Sequence, residues 1–218
     1  MDIKVNVDTT IVFDLDDTLY KEIDFLKSAY REIARSLVKE NWQQLYGYMF
    51  ALYRERENVF TIISKKYGVA TQKLIDQYRS HKPFLSLTEG ASGLIEAIKE
   101  KGGKLAVLTD GRSVTQINKV RALGIYDIID KLFISEELGS EKPSENNFMA
   151  VEDHFPSKHY FYIADNLKKD FVTANIRGWH TIGLIDNGLN IHFSSQYYLK
   201  KDHLPQHSII SLQELKVD

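Results

Sequence analysis

The sequence of 218 residues contains no cysteine. This absence excludes disulfide bonds, zinc sites built on thiolates and a cysteine nucleophile, so any covalent chemistry must use oxygen or nitrogen. The chain also lacks a basic excess, since its formal net charge is -2, and this argues against nucleic acid as a partner. No apolar run is long enough to cross a bilayer or to form the core of a signal peptide. We therefore expect a cytoplasmic protein without a membrane partner.

The bulk composition is typical of a globular protein. Hydrophobic residues make up 43% of the chain and charged residues 27%, and neither value suggests disorder or a fibre. A chain of 218 residues can also bury a sizeable core. We expect one domain, or one domain that carries an insertion.

Three carboxylates follow an apolar stretch near the start of the chain. Residues 11–13, Ile-Val-Phe, predict a strand that is buried on both faces. Asp14 and Asp16 come next and would point to the same side of an extended chain, so either one is protonated or a cation joins them. Magnesium prefers such oxygen ligands. The alternative is an ordinary acidic turn, because Asp and Thr are common in loops and helix caps.

A long helical segment covers residues 21–83. Apolar residues recur there at spacings of three and four, which is the pattern of amphipathic helices. The pattern is clearest from Leu26 to Val38, continues to a predicted stop near Gly68, and returns in a shorter helix around Leu74. We predict that this segment is a helical domain inserted after the first strand.

Helices and strands alternate in the rest of the chain. The predicted helices cover residues 90–101, 113–123, 145–153 and 170–177. The predicted strands cover residues 104–108, 131–135, 160–164 and 179–185, with a possible edge strand at 208–211. This alternation predicts an α/β fold with a doubly wound parallel sheet, a Rossmann-like core formed by residues 1–20 and 84–218. In such sheets the site lies beyond the carboxyl ends of the strands.

Polar residues follow the second predicted strand of this core. Thr109, Asp110 and Gly111 would form a tight turn that offers a hydroxyl and backbone N–H groups to phosphate oxygens. Taken alone, this turn is explained as well or better by a helix cap, for which Thr and Asp are common.

Charged residues follow the next two predicted strands. Lys142 could neutralise a phosphate or a carboxylate, Asp165 could complete a magnesium site, and Asp170 could orient its neighbours. Each also has an ordinary explanation as a surface lysine or a helix cap. Their joint occurrence at four strand ends favours a phosphate and metal site.

The order of these motifs resembles the haloacid dehalogenase superfamily of phosphatases, in the branch with a helical cap inserted after the first strand. The four motifs that carry the resemblance are residues 14–19, residues 108–111, residues 142–143, and Asp165 with Asp170. The chain departs from the family at Ala164, where glycine is frequent, and at Lys169, where asparagine is frequent.

The resemblance implies a role for each carboxylate. Asp14 would be the nucleophile that forms an aspartyl-phosphate, and Asp16 would protonate the leaving oxygen and then deprotonate the attacking water. The implied cofactor is Mg²⁺, held by Asp14, by Asp16 through its backbone carbonyl, and by Asp165. Asp170 would support these groups without contacting the substrate itself.

The resemblance also implies how the substrate is bound. Thr109, Asp110, Gly111 and Lys142 would bind the phosphoryl group and stabilise its charge. The inserted cap would exclude water and select the leaving group. Candidate cationic contacts to the substrate are Lys21, Arg31, Arg54, Arg56 and, best placed of these, Arg112.

Asp16 favours a phosphatase over a carbon–halogen hydrolase, because a halide leaving group needs no proton. Two alternatives remain open at this point: a phosphomutase of the β-phosphoglucomutase type, and a non-catalytic binding protein on the same fold. The expected partner is a small phosphorylated metabolite whose identity the sequence does not indicate. We expect a monomer or a homodimer.

Overall fold

A parallel β-sheet organises the chain, and the computed structural model describes all residues, 1–218. The strands are β1 (Asp2–Ile3), β2 (Thr9–Phe13), β3 (Lys104–Thr109), β4 (Lys131–Ile134), β5 (His159–Ala164), β6 (His180–Leu184), β7 (His207–Ile209) and β8 (Lys216–Val217). Strands β2 to β7 form one sheet in the order β4-β3-β2-β5-β6-β7, in which every neighbouring pair is parallel. Strands β1 and β8 form a separate parallel pair.

Nine α-helices connect or extend these strands. They are α1 (Glu22–Leu37), α2 (Trp42–Arg54), α3 (Val59–Tyr67), α4 (Thr71–Arg79), α5 (Ala91–Glu100), α6 (Ser113–Ala122), α7 (Ser135–Leu138), α8 (Glu145–His154) and α9 (Phe171–Ile176). None of them combines the length and the apolar composition that a bilayer crossing requires. Short 3₁₀ helices occur at Ser195–Leu199, Lys201–His203 and Leu212–Glu214.

Helices cover both faces of the sheet. Strand β2 is buried along its whole length, and its side chains alternate between the two faces. Ile11 and Phe13 join the apolar cluster under α5 and α6, whereas Val12 joins the cluster under α8 and α9. The predicted α/β fold with a doubly wound parallel sheet is therefore confirmed.

The order of the strands places β2 at the centre, where the chain changes direction across the sheet. From β2 the sheet grows through β3 to β4 on one side and through β5 to β7 on the other. The crevice at such a reversal is where ligands bind in open α/β sheets. The residues that follow β2 therefore lie at the favoured position for a site.

Helices α1 to α4 form the inserted helical cap, which has a hydrophobic core of its own. Ile33, Met49 and Ile63 are fully buried in this core, and each comes from a different helix. The helical pattern predicted to stop near Gly68 consists of two helices, α2 and α3, and Gly68 caps the end of α3. The chain breaks between them because Arg56 has a left-handed backbone, with φ of 62°, and the Asn58 side chain caps α3 by accepting from the Thr61 N–H.

The remaining differences from the predicted elements are local. The predicted strand at 131–135 ends one residue early because Ser135 begins α7. The predicted edge strand at 208–211 is β7, His207–Ile209, which pairs with β6. The boundaries of the two domains, the cytoplasmic location and the oligomeric state stay predictions.

Candidate active site

Asp14 lies at the carboxyl end of the central strand. The residue before it, Phe13, pairs with Val107 of β3 and Ile163 of β5, and the Asp14 N–H donates to the Ile163 carbonyl at 2.9 Å. The sheet thus holds the Asp14 backbone, and only 5% of this residue is exposed. A carboxylate on such a rigid support can be presented to a ligand in one orientation.

Lys142 connects Asp14 with Asp170. Its ammonium lies 2.5 Å from Asp14 Oδ1 and 2.7 Å from Asp170 Oδ1, and it donates to the Tyr162 hydroxyl at 2.9 Å. The side chains of Lys142 and Asp170 are fully buried. Because an unpaired charge at this depth would be costly, each member of this network depends on the others.

Asp110 positions the loop that carries Lys142. Its Oδ1 accepts from the Lys142 backbone N–H at 3.0 Å, and its Oδ2 pairs with the Lys169 ammonium at 2.7 Å. Gly111 follows with φ of 132°, and its N–H donates to the Ser135 hydroxyl at 2.8 Å. The predicted turn after β3 is therefore at the same sheet edge as Asp14, with Thr109 buried beneath it.

The Asp16 carboxylate is held by groups from α6 and from residues 17–21, which lead from Asp16 into α1 and which we call the hinge. Lys119 lies 2.7 Å from Asp16 Oδ1, Gln116 donates to Oδ2 at 3.2 Å, and the Tyr20 hydroxyl donates to Oδ1. Burial raises the pKa of Asp16, but the Lys119 ammonium and these hydrogen bonds outweigh burial, so its pKa lies below the usual range. The structure thus holds this carboxylate in its ionised form.

Asp165 connects the carboxyl end of β5 to the hinge of the cap. The Asn190 side chain donates to Asp165 Oδ2 at 2.9 Å and accepts from the Lys21 ammonium at 2.6 Å. The Thr18 hydroxyl also donates to Asp165, at 3.4 Å. Nearby, Asp17 accepts from the Ile191 N–H at 2.8 Å, so the tail after β6 is fixed against the hinge.

Three carboxylates could hold a metal ion together: oxygen atoms of Asp14, Asp165 and Asp170 lie within 4.8 Å of one another. Burial raises the pKa of Asp14 to about 7, although Lys142 acts in the opposite direction. Burial and the charges of Asp14 and Asp170 raise the pKa of Asp165 well above its usual range. The single Lys142 ammonium cannot balance these three carboxylates, of which Asp14 and Asp170 are buried and Asp165 is partly buried, and a hard divalent cation fits both the oxygen donors and the excess negative charge.

A cavity of about 230 Å³, which we call the carboxylate cavity, opens over these groups. Its lining contains no hydrophobic residue and includes Asp14, Asp16, Glu22, Asp110, Gly111, Asp165 and Lys169. Burial, followed by the charge of Asp16, raises the pKa of Glu22 to about 8. The first residue of the cap helix α1 therefore shares this cavity with the strand-end carboxylates.

A second cavity of about 1010 Å³, which we call the cap–tail cavity, adjoins the first. Its walls are the α1–α2 side of the cap, the loop after β5, and the tail after β6, within residues 186–198. Asp165, Asn166 and His192 line both cavities. A ligand in the larger space can therefore reach the carboxylates.

The structure brings together most of the predicted site residues, but not Arg112. The Arg112 guanidinium pairs with Glu136 at 2.7 Å, and Glu136 also accepts from the Ser113 N–H at 2.7 Å. Arg112 is thus held at the start of α6 and lines neither cavity. Among the predicted cap cations, Arg31 also lines neither, Lys21 binds Asn190, and Arg54 and Arg56 line the cap–tail cavity.

Several polar residues of the site were missed in the sequence: Gln116, Lys119, Tyr162, Lys169 and Asn190 contact the predicted residues. Thr115, Gln116, Lys119 and Val120 are buried on α6 at helical spacing. Polar residues on the buried side of a helix were therefore an available signal. Asn190 offered none, because it lies in an irregular segment 25 residues after Asp165.

A sequence model described as haloacid dehalogenase-like hydrolase matches residues 11–184. The glyceraldehyde 3-phosphate phosphatase of Methanocaldococcus jannaschii is 24% identical, with 94% of each chain covered. The pyrimidine 5'-nucleotidase YjjG of Escherichia coli is 25% identical over 94% of this chain and 95% of the relative. The crystal structure of YfnB from Bacillus subtilis bound to magnesium has a TM-score of 0.61 and 24% identity, covering 94% of this chain and 96% of that one.

Proposed function

Because the chain belongs to the haloacid dehalogenase-like hydrolase family, as its sequence predicts, we propose that it is a magnesium-dependent phosphatase. It hydrolyses the phosphoric monoester of a small metabolite, and the phosphoryl group passes through an ester on Asp14. The observation that carries this proposal is the buried group of Asp14, Lys142 and Asp170 beside Asp165, at the carboxyl ends of β2 and β5.

Asp14 attacks the phosphorus atom, and the bond to the leaving oxygen breaks as the aspartyl-phosphate forms. Lys142 orients the Asp14 carboxylate and places a positive charge beside the transferring group. Asp170 and Tyr162 hold that ammonium in position. The nucleophile is therefore fixed on the sheet before a substrate arrives.

The proposed magnesium ligands are Asp14, Asp165 and the backbone carbonyl of Asp16. When bound, Mg²⁺ would neutralise negative charge on the phosphoryl oxygens and help align them. Asn190 and Thr18 orient Asp165 for this task through their hydrogen bonds.

Asp16 transfers the protons in this mechanism. Because Asp16 is ionised before the substrate binds, the proton that it passes to the leaving oxygen comes from the monoanionic form of the phosphate ester, and Asp16 later takes a proton from the water that hydrolyses the aspartyl-phosphate. The turn at Thr109, Asp110 and Gly111 supplies polar groups to the phosphoryl oxygens, and Lys169 adds a second ammonium to the same cavity. The cap excludes bulk water and contacts the leaving group.

The named activities of the relatives support this proposal, since one acts on glyceraldehyde 3-phosphate and another on pyrimidine 5'-nucleotides. These are different molecules that share a phosphoric monoester. The common element is the phosphoryl chemistry, whereas the leaving group differs.

The test is hydrolysis of p-nitrophenyl phosphate with Mg²⁺. We expect turnover by the wild type, loss of turnover with excess chelator, and a fall of at least about 10³-fold in kcat for Asp14→Asn. Asp153→Asn, an exposed carboxylate on α8, is the matched control and should match the wild type.

Trapping with beryllium fluoride separates this function from a non-catalytic binding protein, and comparison of phosphoryl transfer with phosphate release separates it from a mutase. A nucleophilic Asp14 forms a stable mimic of the aspartyl-phosphate, which a non-catalytic binding protein would not form. A mutase would transfer phosphate between sugar hydroxyls faster than it releases inorganic phosphate. An inert metal-replete protein that also fails to bind beryllium fluoride would contradict the proposal.

A further inference from the structure

The cap–tail cavity is larger than the transferred group requires. The carboxylate cavity, at about 230 Å³, is lined by Asp14, Asp16, Asp165 and Lys169, to which the proposed function gives roles in phosphoryl transfer. The adjoining space of about 1010 Å³ is at the upper end of the range for small-molecule sites. A leaving group of only three carbon atoms would leave most of that space to water.

Positive charge without a carboxylate partner lines this cavity. Arg54 and Arg56 approach it from the end of α2, and Lys168 approaches it from the loop after β5. None of the three lies within ion-pair distance of an acidic side chain, whereas Lys27, on the same wall, pairs with Asp24 at 3.4 Å.

The acidic residues in the same lining already have partners within the protein. Asp186 Oδ1 accepts three backbone N–H groups of the turn that follows it, from Gly188, Leu189 and Asn190. Asp165 belongs to the carboxylate cluster and accepts from Asn190. The charge that remains available to a ligand is therefore positive.

Aromatic side chains complete the cavity. Tyr53 of the cap and three residues of the tail, Phe193, Tyr197 and Tyr198, line this space, and Phe193 is 70% exposed. An exposed aromatic ring in a concave wall can gain by covering the carbon atoms of a ligand. The cavity can therefore contact both an anionic group and the carbon atoms of one leaving group.

We infer that the cap–tail cavity binds the leaving group of the substrate, and that this leaving group carries a second anionic group, a phosphate or a carboxylate. Arg54 and Arg56 bind that second anion, Lys168 adds positive charge from the loop after β5, and the tail aromatics cover the carbon skeleton between the two ends. This inference rests on the proposed function for the identity of the first phosphate. The cap–tail cavity would thus favour substrates with an anionic group at each end over substrates with only one.

The test compares matched pairs of substrates. Fructose 1,6-bisphosphate against fructose 6-phosphate adds a second phosphate, and 3-phosphoglycerate against glycerol 3-phosphate adds a carboxylate. For at least one pair we expect kcat/KM to be about tenfold or more higher for the doubly anionic member, since a hydrogen bond to a charged group contributes that much. The pair with the larger ratio identifies the second anion.

Variants connect this preference to the named residues. In Arg54→Gln combined with Arg56→Gln, the ratio of kcat/KM between the two members of the preferred pair should fall towards one. Arg31→Gln, an exposed arginine on α1 that lines neither cavity, is the matched control and should keep the wild-type ratio. A wild-type ratio near one for both pairs, or an unchanged ratio in the double variant, would overturn the inference.

A binding measurement separates the inference from the proposed function. In the Asp14→Asn background with Mg²⁺, calorimetry should give a Kd at least about tenfold lower for the doubly anionic member of the preferred pair, and this needs no turnover. Hydrolysis of p-nitrophenyl phosphate without any preference between the pairs would refute the inference and leave the phosphatase intact. Absence of hydrolysis together with tighter binding of the doubly anionic member would refute the phosphatase function and leave the second anion site intact.

Discussion

The two cavities of this protein are built in different ways. The carboxylate cavity takes most of its groups from residues that directly follow β2, β3 and β5, and its lining is entirely non-hydrophobic. The cap–tail cavity is made by helix ends and by a tail segment without regular strands, and it mixes cations with aromatic rings. The sheet fixes the groups to which we assign the chemistry at phosphorus, while segments of the kind that vary most readily in length surround the space that we assign to the leaving group. In this proposal, reaction type and substrate choice are carried by different parts of the chain.

The largest effect should come from removing the buried Lys142 ammonium, which pairs with Asp14 of the carboxylate cavity. Lys142→Met leaves Asp14 and Asp170 without their shared partner, and we expect the free energy of unfolding to fall by about 3–5 kcal/mol. Urea denaturation in the absence of divalent ions measures this change. Lys158→Met, which breaks the exposed pair with Asp8, is the control and should change stability little. If the two substitutions lowered the free energy of unfolding equally, the buried network around Asp14 would be no more important for stability than an exposed ion pair.

The next effect concerns the residue that holds Asp16. Lys119→Gln should lower kcat by about 10–100-fold with little change in KM, because Asp16 loses its cationic partner and its position for proton transfer. The loss should be larger for an alkyl phosphate than for p-nitrophenyl phosphate, whose leaving group needs little protonation. Lys119→Arg should restore part of kcat. A uniform loss for both substrates would indicate a structural role only.

A smaller effect is expected where the two cavities meet. Asn190→Ala removes the hydrogen bond from Asn190 that orients Asp165 and the hydrogen bond that Asn190 accepts from Lys21. We expect this change to weaken Mg²⁺ binding by about tenfold. Calorimetric titration with Mg²⁺ measures this directly. Asn187→Ala, an exposed asparagine in the same segment, should bind Mg²⁺ as the wild type does. An unchanged affinity in Asn190→Ala would show that the tail does not support the metal site.

The smallest effect is a pH dependence of stability from Glu22. Burial raises its pKa to about 8, so between its usual pKa and pH 8 the folded state binds a proton that the unfolded state has released. Stability should therefore fall as pH rises through this window, and Glu22→Gln should reduce that fall by about 1 kcal/mol. The figure is small because 21% of the side chain remains exposed. Thermal unfolding between pH 5 and pH 8.5 would detect it, and identical slopes for both proteins would contradict it.

The fold and the strand-end residues could be predicted from the sequence for a physical reason. A buried strand is a short apolar run, and a residue such as Asp14 or Asp165 is conspicuous at its end because the backbone alone fixes where it lies. Parallel strands then bring these ends to one edge. These relations are local in sequence, so they can be inferred without coordinates.

Contacts between distant segments could not be predicted in the same way. Lys119 meets Asp16 across 103 positions of sequence, and Asn190 meets Lys21 across 169. Arg112 follows a strand-end motif, yet its side chain pairs with Glu136, a carboxylate that also accepts from the Ser113 N–H at the start of α6. Side-chain direction at a helix start depends on which opposite charge lies nearby, and the motif does not specify it.

The two tryptophans lie one in each structural part. Trp179 is buried beside the sheet, stacked on Tyr160 with its indole N–H donating to Glu152 at 2.8 Å. Trp42 begins α2 in the cap, with the Arg35 guanidinium 4.3 Å above its ring. Replacing either one by phenylalanine would leave a single intrinsic fluorophore, so emission could follow the cap and the sheet separately during ligand binding without any attached dye.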